Sequence, residues 1–106
     1  MSLKPTQRLK KRYISFSFRG NFNEEELSRA LYKHSLDFFG EYGLSKRTIK
    51  LIEFDGKTGI LLVNRDATEE VLGMLALIDE LNKKPARIIA KRTSGTMRAL
   101  QEKDKD

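Results

Sequence analysis

Between residues 12 and 18 the chain alternates. Ile14, Phe16 and Phe18 occupy every second position, and Tyr13, Ser15 and Ser17 fill the gaps. A β-strand sends successive side chains to opposite faces, so this pattern specifies a sheet with one buried face and one at least partly polar face. Such a sheet must cover its apolar side, and helices on that side are the usual solution.

The rest of the chain supplies them. Asn23 followed by Glu26 has capping-box spacing, and Glu24 and Glu25 suit the positive end of a helix. Leu27, Ala30, Leu31, His34 and Phe38 then recur at helical spacing up to a stop at Gly40. Residues 41–47 are a connector. Thr48 to Phe54 and Ile60 to Asn64 are strands joined by Asp55-Gly56-Lys57-Thr58-Gly59, a hairpin loop. Asp66 and Glu69 repeat the capping-box spacing. Val71, Leu72, Leu75, Ile78 and Leu81 form the stripe of a second helix, ended by Asn82-Lys83-Lys84-Pro85. Ala86 to Lys91, centred on Ile88 and Ile89, is the last strand, and residues 96–102 a short final helix.

This order, βαββαβ, predicts an α+β fold: a ferredoxin-like, RRM-like sandwich. An antiparallel four-stranded sheet carries two helices on one face, with the first and third strands central and a short C-terminal helix added. The 106 residues amount to one domain. Residues 1–11 read as a basic extended arm, 12–102 as the single domain and 103–106 as a solvated charged tail.

The net charge of +6 is not spread evenly. Residues 1–12 hold Lys4, Arg8, Lys10, Lys11 and Arg12 with no acid. Residues 83–98 hold Lys83, Lys84, Arg87, Lys91, Arg92 and Arg98, again with no acid. The two stretches carry +11, which leaves the remainder at −5. Charge concentrated in this way points to a phosphate-rich partner, with anionic lipid as the other polyanion it fits. No apolar run approaches the ~20 residues of a membrane helix, so the chain reads as soluble and intracellular.

Catalytic and metal-binding constellations are scarce. The chain has no cysteine and one histidine, His34, which lies on the apolar stripe of the first helix as a partly buried structural residue. Glu24, Glu25 and Glu26 are accounted for by the helix start, and Asp55-Gly56 by turn chemistry. We therefore expect no enzyme activity from the chain alone and no cofactor or metal held by it.

The nucleic-acid signal is better. An RRM-like sheet stacks bases on aromatics of its first and third strands, but Ile60-Leu61-Leu62-Val63-Asn64 has none and the first strand offers only Tyr13. Recognition of the RNA backbone by Lys and Arg fits instead. The candidates are Lys4, Arg8, Lys10, Lys11 and Arg12, with Lys91, Arg92, Arg98 and the Ser94-Gly95-Thr96 turn. In that turn small hydroxyl residues let backbone N–H groups face a phosphate.

In register, these segments resemble a known family. Leu3-Lys4-Pro5-Thr6, Arg8 and Lys10-Lys11-Arg12-Tyr13-Ile14 resemble the N-terminal signature of archaeal and eukaryotic ribonuclease P protein component 2. Ser94-Gly95-Thr96 followed by Met97 and Arg98 resembles its C-terminal one. Phe39-Gly40-Glu41-Tyr42-Gly43 and Gly59-Ile60-Leu61 fall where that family has similar segments. Leu62 and Val63 depart from the Arg and Cys often found there, and Thr93 replaces a small apolar residue. The resemblance implies a non-catalytic protein subunit of ribonuclease P, the ribonucleoprotein that removes the 5′ leader of precursor tRNA. It further implies chemistry carried by a catalytic RNA with bound magnesium. The implied partners are that RNA, precursor tRNA, ribonuclease P protein component 3 and other ribonuclease P proteins, with self-association, in the cytoplasm (or the nucleus or nucleolus of a eukaryote). Two other readings fit the same fold: a generic RNA- or ribosome-binding domain, and a regulatory domain that binds a small ligand.

Overall fold

The computed structural model describes residues 11–98 and Leu100. Strand β1 (Lys11–Arg19) leads through Gly20 and Asn21 to helix α1 (Glu24–Ser45). The hairpin of β2 (Ile49–Phe54) and β3 (Thr58–Asn64) follows, then a 3-10 turn (Arg65–Ala67) and helix α2 (Thr68–Ala76). A small hairpin of β4 (Glu80–Leu81) and β5 (Lys84–Pro85) precedes β6 (Arg87–Ser94). The four long strands are antiparallel in the order β2-β3-β1-β6, so β1 and β3 are central, as the pattern predicts.

The alternation in β1 sets the register. Ile14, Phe16 and Phe18 join Leu61 and Val63 of β3, Leu27 and Leu31 of α1, and Val71, Met74 and Leu75 of α2 in one core. Each fully buried side chain of this kind contributes about 1.5–3 kcal/mol. A one-residue slip would turn all three β1 anchors to the other face, so the register is strongly specified. Phe16 stacks on Phe54 at 6.2 Å, and Phe18 meets Phe22 and Phe54 edge-on at 5.5 and 5.3 Å. Gly59 lies beneath this cluster: a Cβ there would sit 2.5 Å from Phe16 Cζ and 2.7 Å from the Glu53 carbonyl oxygen.

The start of α1 follows the sequence closely. Asn23 Oδ1 accepts the Glu26 N–H at 2.8 Å, and the Asn23 N–H donates to Glu26 Oε1 at 3.5 Å. Lys84 Nζ donates to Glu26 Oε2 at 3.1 Å and to the Asn21 carbonyl at 3.0 Å, so the β4–β5 hairpin clamps the helix start. The Lys84 hydrogen bond, followed by that of Asn23, holds the Glu26 carboxyl below its ordinary pKa.

Three expectations need correction. Gly40 interrupts α1 instead of ending it: its backbone leaves the helix (φ 76°, ψ 169°) and helical turns resume to Ser45. Arg47 ties the resumed turns to α2 by donating to the Gly43 carbonyl and to Glu70, each at 2.7 Å. The Asp66–Glu69 capping box does not form, because the chain leaves β3 in a 3-10 turn and Ala67, with no capping side chain, occupies the N-cap. Finally, α2 ends at Ala76, five residues before the end of its apolar stripe. Ile78 and Leu81 are buried from irregular chain and β4, and the backbone reverses at Asn82 (φ 53°) and Lys83 (φ 64°), as in a type I′ turn.

Candidate nucleic-acid interface

β1 and β6 lie side by side, pairing Tyr13 with Ser94 and Ser15 with Arg92. This register brings two segments about eighty residues apart in sequence to one end of the sheet. The last strand is longer than expected: Thr93 and Ser94 belong to β6, so the turn proper begins at Gly95. Ser94 Oγ accepts the Thr96 N–H at 3.3 Å, and the Thr96 carbonyl accepts the Leu100 N–H at 3.3 Å. Met97, Arg98 and Leu100 are helical.

Alternation divides the basic residues between two faces. Lys11 shares the parity of Tyr13 and Ser15, on the face without helices, and Arg92, opposite Ser15, belongs there too. Arg12 shares the parity of buried Ile14 and turns towards the helix side at the sheet's rim. Its Nη1 lies 3.7 Å from the point a Cβ on Gly95 would occupy. Lys10-Lys11-Arg12 is therefore not one patch in its described part: Lys11 joins Arg92 on the open face, and Arg12 lies against the Ser94-Gly95-Thr96 turn. Lys91 occupies the bulge where the β1–β6 register shifts between Ser15 and Phe16. Lys91, Arg92, Gly95, Thr96 and Arg98 are exposed, whereas Ser94 is half-buried. Lys4, Arg8 and Lys10 lie outside the described residues.

The structure adds cations that the sequence reading passed over. Lys50 of β2 pairs with Leu62, which pairs with Tyr13, so Lys50 is on the open face. Arg65 directly follows Asn64, the register partner of Lys11. Lys46 ends α1 two residues before Thr48, whose N–H donates to Asn64 Oδ1 at 2.9 Å. The signal was available: Lys46-Arg47 stands just before a strand, and Lys50 shares the polar parity within it. Arg47 itself is committed to Gly43 and Glu70, with its guanidinium 4.5 Å from the Phe39 ring centroid.

Cations stand at both ends of the open face: Lys11, Lys50 and Arg92 lie towards the β1 N-terminus, and Arg19 with its register partner Arg87 lies towards the other end. Glu53, opposite Ile60, is the acid on the strands' open face, and Asp55 lies in the turn beyond it. At that far end acids offset the cations Arg19, Lys57, Lys83, Lys84 and Arg87: Glu24, Glu25 and Glu26 open α1, and Asp79 and Glu80 enter β4. Tyr13 is the aromatic of the open face among the described strands, and Ser15, which the alternation places on the polar side, is 4% exposed between Ile60 and Arg92. This surface is suited to holding phosphates by charge, with little to stack bases on.

His34 is half-buried, and its Nε2 is buried without a hydrogen-bond partner. It lines a cavity between α1 and the β4–β5 hairpin with Glu26, Arg29, Asp37 and Glu80. Among the described residues no three His, Cys, Asp or Glu side chains gather as a metal site. Among the same residues no helix is long and apolar enough to cross a membrane.

Comparisons with known proteins identify the family. The model of the Rpp14/Pop5 family matches residues 12–104. The chain is 38% identical over 99 residues to ribonuclease P protein component 2 of Methanocaldococcus jannaschii, covering 92% of this chain and 74% of that protein. It is 36% identical over 106 residues to the Pyrococcus furiosus protein of the same name, covering 96% and 88%. For the Thermococcus gammatolerans protein the identity is 37% over 105 residues, covering 95% and 88%. A chain in the structure of yeast ribonuclease MRP superposes with a TM-score of 0.67 at 12% identity over 92% of each chain, a likeness of fold. The chain belongs to the Rpp14/Pop5 family, alongside the archaeal ribonuclease P protein component 2.

Proposed function

We propose that this chain is a non-catalytic protein subunit of ribonuclease P that grips RNA backbone with the basic end of its sheet. The observation that carries the reading is the β1–β6 register, which joins residues 11–12 of one acid-free basic segment to residues 92–96 of the other at one end: Lys11 with Arg92 on the open face, Arg12 with the Ser94-Gly95-Thr96 turn at the rim. Lys46, Lys50 and Arg65 widen that surface. In this reading the hydrolysis of the 5′ leader, and the magnesium it uses, belong to the RNA. The chain contributes charge neutralisation and orientation. Its compartment is that of the RNA, the cytoplasm in an archaeal cell.

The same reading needs a face for partner proteins such as component 3. The groove between α2 and the edge of β6 left unpaired among the described residues supports this role. It is lined by Leu72, Leu75, Ala76, Ile88, Ile89 and Ala90 with Arg87 at one end, and Leu77 beside it is 70% exposed. A free strand edge next to an apolar groove offers a partner both backbone hydrogen bonds and burial.

The test combines binding and reconstitution. Replacing Lys11 and Arg12 with alanine should weaken binding to a structured ribonuclease P RNA and flatten the slope of log K against log salt by about 0.9 per lost phosphate contact. The unaltered chain, added with that RNA and its partner proteins, should stimulate leader cleavage of precursor tRNA, and the double variant should stimulate less. An unchanged salt slope rejects the phosphate contacts; no stimulation by the unaltered chain rejects the subunit role.

A further inference from the structure

The end of α1 carries exposed aromatics that neither the core nor the basic sheet uses. Tyr42 is 75% exposed and Phe38 47% exposed. Phe38 continues the apolar stripe of Leu27 and Leu31 but runs past the core. It stands edge-on to Phe39 at 4.9 Å, and Phe39 is pinned by Arg47. The break at Gly40 lies between Phe38 and Tyr42, so the last turns of α1 are offset from the body of the helix. Lys46 Nζ sits 4.3 Å from the centroid of the Tyr42 ring. Ser45 Oγ donates to the Tyr42 carbonyl at 2.6 Å, and the Lys46 N–H donates to the Gly43 carbonyl at 3.3 Å, which fixes this last turn.

We propose that Tyr42, supported by Phe38 and Lys46, stacks an unpaired nucleotide of the RNA held by the basic end of the sheet. The proposal rests on that RNA-binding reading and extends it from backbone contact to base contact. An exposed ring with a cation on one side matches a nucleotide, a flat π-system attached to an anion: the base lies on the ring and the phosphate faces the amine. Charge and position favour RNA over a protein partner. Lys46 is two residues from Thr48, which is hydrogen-bonded to Asn64, the register partner of Lys11, so the turn that carries the ring leads directly into the cationic end of the sheet. Stacking here also compensates for the open face, where Tyr13 is the aromatic available.

The experiment compares the full-length chain with Tyr42→Ala and Tyr42→Phe, using a ten-nucleotide single-stranded oligoadenylate and a fully paired RNA duplex as probes. The chain has no tryptophan, so quenching of tyrosine fluorescence reports on its tyrosines directly. Tyr42→Ala should bind the single strand about tenfold more weakly, within the range for one stacked base, with an unchanged salt slope and unchanged duplex affinity. Tyr42→Phe should stay within about twofold of the unaltered chain, because it keeps the ring. Equal single-strand affinity for Tyr42→Ala overturns the stacking proposal and leaves the backbone reading intact. So does a loss confined to the co-purification of partner proteins, which would make the patch a protein contact. No salt-dependent binding of either probe by the unaltered chain overturns both.

Discussion

Gly59→Ala adds one methyl group at a central strand, and the structure says how much room it has. The new Cβ would fall 2.5 and 2.9 Å from Phe16 Cζ and Cε1 and 2.7 Å from the Glu53 carbonyl oxygen, all inside van der Waals contact. Neither neighbour yields freely. The Phe16 ring is 1% exposed and stacked on Phe54, and the Glu53 carbonyl belongs to backbone in the β2–β3 ladder. Overpacking of this kind costs about 1–3 kcal/mol. For a domain of this size each kcal/mol lowers Tm by about 4–8 °C, so a 2 kcal/mol cost corresponds to about 8–16 °C. Thermal unfolding followed by circular dichroism reads this directly. Phe16→Leu, destabilising alone, should become less damaging in the Gly59→Ala background, with a coupling above about 0.5 kcal/mol, because it withdraws the ring from the added methyl. A Gly59→Ala Tm within 2 °C (roughly 0.3–0.5 kcal/mol) of the parent would refute the close approach itself.

Two further outcomes follow from other parts of the fold. Glu26 and Asp55 both have carboxyls held below their ordinary pKa, Glu26 by Lys84 and Asn23, Asp55 by the backbone N–H groups of Thr58 and Lys57. A depressed carboxylate stabilises the fold above its unfolded-state pKa, and that contribution is lost as pH falls through the folded value. Stability should therefore drop on acidification below about pH 4.5, and Glu26→Gln should show a smaller drop than the parent in a urea titration repeated at each pH. Leu77→Glu, at an exposed position, should leave the unfolding free energy within about 0.5 kcal/mol of the parent's yet reduce retention of partner ribonuclease P proteins in a pull-down; retention equal to the parent would count against the α2–β6 groove as their docking face.

Where one residue type has one physical reading, the sequence was clear. The parity of Ile14, Phe16 and Phe18, the Asn23–Glu26 cap and the Asp55-Gly56 turn each depend on neighbours within four residues, and each appears in the structure as read. The strand order follows because a βαββαβ chain has few ways to cover one apolar face. Legibility failed where tertiary packing outweighed local pattern. Ile78 and Leu81 keep helical spacing but are buried from irregular chain and a short strand, because a core needs buried side chains and not a particular backbone. Asp66 has the right spacing for a cap, yet the tight exit from β3 places Ala67 at the N-cap instead. The basic end was half visible. Lys11, Arg12 and Arg92 stood out as runs without acids, whereas Lys50 and Arg65 are single charges that matter through strand pairing. Alternation alone parts Lys11 and Arg12 to opposite faces; that Arg92 joins the first and the Ser94-Gly95-Thr96 turn the second depends on strand pairing.

The uneven distribution of charge has a consequence for how the molecule meets its partner. With the cations of the basic end in excess, and those at the other end (Arg19, Lys57, Lys83, Lys84 and Arg87) offset by Glu24, Glu25, Glu26, Glu53, Asp55, Asp79 and Glu80, the protein has a permanent electric dipole in addition to its net charge. In the field of a polyanion, that dipole exerts a torque that turns the basic end forward before any contact forms. At an ionic strength where the Debye length is about 10 Å, the torque acts only over the last molecular radius of approach. Salt should therefore slow capture by weakening this rotational guidance as well as by screening the attraction.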